Sequence, residues 1–305
     1  MHPENYGLPV ELLDCAWCFQ NHQSKKILPI MKFTTIQSIT LLSAILVLFT
    51  GCNSSSTGVE DTPPVLPPSV VLETDFALFG ENNAGANIQA GANKIVNPYS
   101  HFLNASTRAL LLNGTINANL FLPASILTAA EAVEPVLNED DEWEWNFSVS
   151  GNSQTFSVSL VGEEQDSGQT TWSVFVSNSL LNLDDELLLE GVSTSNSGSG
   201  SWTVNRLAGF GTVQPHLQLD WDFDSVTEYS VDLEFLQMRD LLPVQSIRTQ
   251  RDGPEKQTIS RDMDDDLRAD ISWNVDTKTG SLVSPEYNNG DRACWDSTFR
   301  NTECE

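Results

Sequence analysis

From residue 142 onward, apolar and polar residues alternate with a period of two over many short segments. Trp143, Trp145 and Phe147 alternate with acidic and amide side chains, and Leu219 and Trp221 alternate with aspartates. Successive side chains of a β-strand point to opposite faces, so this pattern predicts strands with one apolar and one polar face. Turn-forming residues separate roughly nine such segments and predict antiparallel hairpins.

Two segments ahead of the strands carry a helical period instead. Residues 102–112 are apolar on one side, and residues 123–133 begin with Pro123, which suits the first turn of a helix. The second segment ends at Pro135, and its apolar face comprises Ile126, Leu127, Ala130 and Val133. We therefore predict a mainly β fold. It is an antiparallel meander that forms a barrel or a strongly curved half-barrel, with one or two N-terminal helices packed on it.

The apolar face of the predicted sheet is unusually rich in tryptophan. Such large side chains either fill a broad packed core or line a cavity, and the sequence leaves both interpretations open. Under the cavity interpretation, Ile126, Leu127 and Val133 of the helix close a ligand pocket from one side. The wall of that pocket would be formed by Trp143, Trp145, Trp172, Trp202, Trp221 and Trp273.

An export signal begins at the internal residue Met31. Lys32 supplies positive charge, an apolar run occupies residues 39–49, and small residues lead to Cys52. A charged start followed by a short apolar core is typical of a secretory signal, and it is too short for a spanning helix.

The end of this signal, Leu48-Phe49-Thr50-Gly51-Cys52, resembles a bacterial lipobox. It departs from that family at Phe49, because lipoboxes usually have leucine three positions before the cysteine. The resemblance implies cleavage before Cys52 and a lipoprotein with diacylglycerol on the cysteine thiol and an acyl chain such as palmitate. Asn53 follows, where an aspartate would imply retention at the inner membrane. We therefore expect the outer membrane, on its periplasmic or surface face.

The domain organisation follows from this signal and from shifts in composition. Because the signal begins at Met31, residues 1–30 are predicted to be a spurious upstream extension. Their Cys15 and Cys18 do not contradict this, since the second ligand pair of a zinc site is missing. The other segments are a signal peptide (31–51), an acylated cysteine with a Ser/Pro linker (52–68), an irregular Asn- and Gly-rich segment (69–100) and a β-rich domain (101–305).

Charge narrows the range of partners. The chain has 15 basic and 42 acidic side chains and a net charge of −27. Residues 1–51 hold three of each sign, so the exported part keeps the whole net charge. A surface of this sign repels phosphate backbones and anionic headgroups. This excludes nucleic acid as a routine partner and leaves the lipid anchor as the attachment to the membrane.

The sequence offers little for catalysis, so we expect neither enzyme activity nor a cofactor. His101 and His216 lie in unrelated segments, and there is no Gly-x-Ser-x-Gly elbow. Carboxylates do recur on one face of neighbouring strands, namely Asp220, Asp222, Asp224, Asp232 and Glu234. Their spacing suits glycoside hydrolysis, but they belong to the polar face, so a glycosidase is our third interpretation.

Two further features lie near the C-terminus. Asp262, Asp264 and Asp266 have the spacing of a calcium loop, but the required glycine and glutamate are absent, which favours a solvated charge run and leaves calcium a weak alternative. Cys294 and Cys304 are expected to form a disulfide outside the cytoplasm, closing the tail into a small knob.

Two main interpretations of function result. In the first, the domain binds a hydrophobic small molecule or lipid between sheet and helix. In outline, over residues 100–290, it is similar to half-barrel lipoproteins that shelter acyl chains, among them the lipoprotein-localisation factors of the outer membrane and the related mycobacterial lipid carriers. In the second, it is a structural or interaction protein of the cell envelope with a sealed core and an acidic, calcium-dependent surface.

Overall fold

The computed structural model describes residues 62–73, 76–80, 97–151, 154–207, 214–236 and 244–304. All of them belong to one unit, Gly58–Glu305. The predicted signal, Cys52 and the first part of the linker lie outside the described residues, and what we expect of them stays a prediction.

Fourteen strands form one antiparallel sheet whose spatial order is the order of the chain. The sheet is not closed, because β1 and β14 lie at opposite edges. The predicted mainly β meander is therefore confirmed in its open, curved form. The strands are β1 (Val136–Leu137), β2 (Trp143–Gly151), β3 (Gln154–Gln165), β4 (Gln169–Asn178), β5 (Leu183–Thr194), β6 (Ser199–Arg206), β7 (Gln214–Ser225), β8 (Glu228–Phe235), β9 (Ser246–Asp252), β10 (Glu255–Arg261), β11 (Leu267–Asn274), β12 (Gly280–Val283), β13 (Ala293–Trp295) and β14 (Asn301–Thr302).

Five of these strands did not appear in the sequence pattern, namely β1, β9, β10, β13 and β14. The two long ones, β9 and β10, turn polar side chains toward the core. Thr249, Lys256, Thr258 and Ser260 are all at most 5% exposed. The prediction relied on apolar residues at every second position, so it missed strands whose buried positions are polar.

Tryptophans fit into this core because glycines face them across the strands. Trp143, Gly162, Trp172, Gly191 and Trp202 lie side by side in register from β2 to β6. A Cβ atom added at Gly162 would lie 2.7 Å from the Trp172 ring, and one at Gly191 would lie 2.7 Å from the Trp202 ring. Each indole therefore occupies the space that a neighbouring side chain would otherwise take.

One long helix, α2 (Ser100–Ala130), replaces the two predicted helical segments. The predicted segments left out residues 113–119, which are mostly polar, but Ile116 and Leu120 continue the buried stripe at helical spacing. The prediction placed Pro123 in the first turn of a helix. This was wrong, because Pro123 lies inside α2. The helix is about 46 Å long.

The helix spans the opening of the half-barrel. It contacts β2 near one edge of the sheet and β11 to β14 near the other. Its length and mean hydropathy, 1.3 over an 18-residue window, would by themselves also suit a membrane span; 44% of that window is buried here. Leu110, Leu111 and Phe121 lie on its exposed side.

The chain before α2 also packs into the concave face. A short 3₁₀ helix (Ser69–Leu72) and α1 (Ala77–Gly80) occupy part of the segment that was predicted to be irregular. The Phe76 ring stacks on Trp273 with centroids 5.9 Å apart, and Phe79 meets the same indole edge-on at 5.2 Å. The described part of this segment thus contains two short helices and buried apolar side chains.

Candidate functional site

The predicted tryptophan wall lies in the core. Trp145, Trp172, Trp202, Trp221 and Trp273 are at most 4% exposed, and Trp143 is partly buried near the edge. Ile126 and Leu127 are fully buried in the same cluster, and Val133 packs against it. The structure thus brings the predicted residues together. However, four grooves among the described residues are walled by other side chains.

Several indole N–H groups have partners inside the protein. Trp172 Nε1 donates to Ser193 Oγ at 2.9 Å, and Trp221 Nε1 donates to the Ser197 carbonyl at 3.3 Å. Neighbouring indoles pack on one another, with centroids 5.9 Å apart for Trp145 and Trp172. Trp172 and Trp221, whose apolar faces are packed and whose N–H groups are satisfied, therefore belong to a packed core. The buried Nε1 of Trp202 has no hydrogen-bond partner among the described residues.

The predicted carboxylates lie on the convex, polar face. Asp220 and Asp232 are directly opposite each other on β7 and β8, and Arg248 of β9 pairs with Asp232 at 3.8 Å. A groove of about 500 Å³ runs between them, and Glu234 also lines it. The neighbouring Asp222 and Asp224 line a separate shallow groove. Directly opposed like charges destabilise a strand pair, and an arginine beside them reduces that repulsion.

In the suspected calcium loop, the Asp262 carboxylate has structural partners, whereas the side chains of Asp264 and Asp266 are exposed. Asp262 Oδ1 accepts the backbone N–H groups of Asp264 and Asp266 at 3.1 and 3.0 Å, and its Oδ2 lies 3.0 Å from Arg268 Nε. Within the described parts of the chain, no group of three or more His, Cys, Asp or Glu residues could hold a metal ion.

The two histidines fasten α2 to different parts of the sheet. The His101 Nδ1 atom lies 2.8 Å from the Cys294 carbonyl, and His216 Nε2 lies 2.8 Å from Asn119 Oδ1. These contacts hold the helix at both of its halves, which is a structural role for both imidazoles.

The C-terminal tail closes on the start of α2. Cys294 and Cys304 form the predicted disulfide, with Cα atoms 5.3 Å apart. Asp296 lies in the tight turn that this disulfide encloses. Its pKa is lowered, first by the hydrogen bond from the Thr298 hydroxyl and then by the backbone N–H groups of Arg300 and Thr298. The turn is thus ordered by a carboxylate acting as acceptor.

The edge of the sheet at β2 presents backbone groups that have no partner among the described residues. The Asn138 N–H donates to the Glu142 carbonyl, so the even-numbered residues of β2 direct their N–H and C=O groups away from β3. Strand β1 pairs only with Trp143 and Glu144. Beyond that point, no described residue bonds to the backbone of Asn146, Ser148 or Ser150 on this side.

A groove of about 620 Å³ lies at the end of this edge, between α2 and the β2–β3 hairpin. Phe121 and Leu122 form its helical side, and Val149 and Phe156 form its sheet side. Phe121 is 53% exposed although it contributes a large apolar ring. We call the unpaired stretch Trp145 to Gly151 together with this groove the β2 seam.

The β2 seam belongs to an exclusively acidic part of the chain. Residues 109–205 contain 14 Asp and Glu and no Lys or Arg. The turn between β1 and β2 places Glu139, Asp140 and Asp141, all exposed, beside the first half of the edge. The exposed acids of this turn therefore make the charge at the N-terminal end of the edge negative.

Sequence reasoning did not find the β2 seam. In the sequence, Asn146, Ser148 and Ser150 look like the ordinary polar face of a strand. What distinguishes them is that, among the described residues, no strand pairs with them on their outer side. The 97-residue run without a basic side chain was a usable signal for the charge. Comparison with known protein families, with curated proteins and with solved structures found no match to this chain.

Proposed function

We propose that this chain is a lipid-anchored protein of the bacterial cell envelope and that its β domain serves as an interaction module rather than as a lipid carrier. The observation that carries the proposal is the filled concave face. The space in which a carrier would shelter an acyl chain is occupied by α2 and by Phe76 and Phe79 of this same chain.

The contents of the concave face make displacement by a ligand costly. Val71, Leu72, Phe76 and Phe79 are all at most 6% exposed and belong to the same core cluster as the tryptophans. Phe76 and Phe79 pack directly on Trp273. Burying one such side chain contributes about 1.5–3 kcal/mol, so a ligand would have to replace several of these contributions before it gained any affinity. The polar outer face and the sheet edge remain the surfaces through which the domain meets other molecules.

The anchor supports the same interpretation. The predicted linker after Cys52 runs to Pro68 and is rich in Ser and Pro. A segment of this composition can span several tens of Å, which would let an interaction surface stand clear of the headgroups.

The anchor is tested with Cys52→Ser in the full chain, expressed in a bacterium that exports lipoproteins. Wild type is expected in the membrane fraction and labelled by an alkyne analogue of palmitate, whereas Cys52→Ser is expected to be soluble and unlabelled. Cys18→Ser is the matched control and should behave as wild type. Membrane retention and labelling of Cys52→Ser would contradict the anchor.

The absence of a carried lipid is tested on the same soluble Cys52→Ser protein, purified without detergent. Native mass spectrometry is expected to show the mass of the protein alone. A stoichiometric added mass that organic extraction identifies as a lipid would contradict the interaction module and favour the carrier.

A further inference from the structure

We propose that the β2 seam binds an extended, basic peptide segment of a partner protein, which adds to the sheet as a further strand. This inference rests on the proposed interaction module and specifies its partner. Three independent features of the seam support it: its backbone groups, its apolar groove and its charge.

The backbone provides a ladder of suitable length. Asn146, Ser148 and Ser150 offer three N–H and three C=O groups at alternate positions, spread over about 13 Å of strand. Soluble proteins usually protect such an edge with lysine, proline or a bulge. Residues 145–151 contain neither lysine nor proline, and their register with β3 is uninterrupted.

The opposite edge of the sheet shows how this protein protects an edge. Strands β12, β13 and β14 shorten from four residues to two, and the disulfide encloses the last of them. The contrast with the nine-residue β2 indicates that an accessible edge is a specific property of β2.

The apolar side of the seam is incompletely buried. Phe147 faces the core and is only partly buried, whereas Val158 and Val176, its neighbours in the same cross-strand row, are 3% and 1% exposed. An added strand would cover Phe147 with its own core-facing side chain. Its next apolar residue would lie in the groove beside Phe121 and Val149. A segment that alternates apolar and polar residues therefore fits.

Charge selects the partner. The acidic turn at residues 139–141 lies beside the N-terminal end of the edge, and residues 109–205 contain no basic side chain to offset it. Lysine or arginine at one end of the segment would be attracted here. A second copy of this chain would place one acidic edge against another, so the same charge disfavours self-pairing.

The probe for this proposal is the fluorescein-labelled peptide Val-Thr-Val-Thr-Val-Lys-Lys with an amidated C-terminus. In an antiparallel arrangement, its valines cover the apolar side and its lysines reach the acidic turn. Binding is measured by fluorescence anisotropy with the full chain in detergent micelles. Replacing both lysines by glutamate, or N-methylating alternate amides, is expected to weaken binding about tenfold or more.

Hydrogen exchange locates the contact. The amides of Asn146, Ser148 and Ser150 are expected to exchange fast in the free protein and at least about tenfold more slowly with saturating peptide. Those of Phe147 and Val149 point toward β3 and are expected to be slow in both states. Slow exchange at all five amides without peptide would overturn the proposal, because the edge would then be paired already.

Two variants separate backbone pairing from charge. Ser148→Pro removes the central donor, which faces outward, and is expected to abolish binding while the protein remains folded by circular dichroism. Glu139→Lys is expected to weaken the lysine peptide about threefold or more and to strengthen the glutamate peptide. Glu228→Lys, an exposed acid on β8, is the matched control and should change neither.

The outcomes distinguish this proposal from the proposed function. Two outcomes would overturn the β2 seam as a basic-peptide site: equal binding of the lysine and glutamate peptides, or no binding of the lysine peptide to a protein that carries no lipid. Neither outcome would contradict the proposed interaction module. If Ser148→Pro does not fold, Glu139→Lys and the N-methylated peptide decide alone. Lipid in native mass spectrometry would overturn the proposed function whatever the peptide does.

Discussion

The alternation of tryptophan and glycine across β2 to β6 predicts that adding one methyl group in this row destabilises the protein. Gly191 lies between Trp172 and Trp202 in the row. In Gly191→Ala, the new Cβ would lie 2.7 Å from the Trp202 ring, and it would also press on the backbone carbonyl of Ser201. The carbonyl belongs to the paired strand β6 and cannot move without disturbing the ladder.

The size of the effect follows from these contacts. Overpacking a core by a small group costs about 1–3 kcal/mol. The upper end applies here, because one neighbour is backbone and the other is a fully buried indole. We expect Gly191→Ala to lose about 3 kcal/mol of unfolding free energy, or about 6–12 °C in Tm for a domain of this size.

Gly114 provides the matched control. It lies inside α2, it is exposed, and a Cβ added there meets nothing within 4 Å. Gly114→Ala is therefore expected to stabilise by up to about 1 kcal/mol through helix propensity. Both variants replace glycine by alanine, but one is expected to destabilise the protein and the other to stabilise it. Their unfolding free energies should therefore differ by about 4 kcal/mol.

Urea unfolding followed by tryptophan fluorescence measures both variants, and the midpoints are compared at equal m-values. An unchanged midpoint in Gly191→Ala would refute the close-packed Trp–Gly row. It would also weaken the argument that the concave face is sealed, because a cavity beside the indoles would accept the methyl group.

Three further predictions address the parts that close the fold. Phe79→Ala is expected to cost about 3–5 kcal/mol and to increase binding of the dye ANS, because it uncovers the tryptophan cluster; unchanged dye binding would contradict the filled face. Cys304→Ser, which leaves Cys294 unpaired, is expected to lose about 2.7 kcal/mol of unfolding free energy relative to the oxidised wild type, on the chain-entropy estimate for a closed loop of about ten residues. Urea unfolding measures the loss, and the reduced wild type should match the variant. The pKa of Asp296 is lowered in the folded protein, so its contribution to the turn is present above the ordinary pKa near 3.8 and lost as pH falls through the folded value. Hydrogen exchange at the Arg300 amide, corrected for intrinsic rates, should therefore rise on acidification below about pH 4 in wild type and be fast at all pH values in Asp296→Ala.

The two-residue period of the strands could be recognised in the sequence because alternate side chains are buried. In β4, Trp172, Val174 and Val176 are buried and the residues between them are not, so the sequence itself records the two faces. The same reasoning failed for β10, where Lys256, Thr258 and Ser260 occupy the buried positions. These residues are buried because β10 pairs with β9 and β11, and this pairing cannot be recognised in the local sequence pattern.

For helix α2 as well, the sequence predicted one part of the structure and tertiary contacts decided the rest. Its apolar stripe was visible at both ends, but the polar residues near Gly114 and the ring of Pro123 appeared to interrupt it. Contacts with the sheet override weak local propensity, so α2 continues through both. The candidate site depended on the same contacts, because Phe121 lines the groove only where the helix crosses the hairpin.

The sequence by itself determined the antiparallel period, the acidic charge and the cysteine pair, since each depends on residue type and spacing along the chain. Only the tertiary structure decided that glycines face the tryptophans and that α2 and Phe79 fill the concave face. It also decided that most of the β2 edge has no partner among the described residues. Register, packing and edges arise between segments far apart in sequence, and local patterns carry no record of which strand or helix will lie opposite.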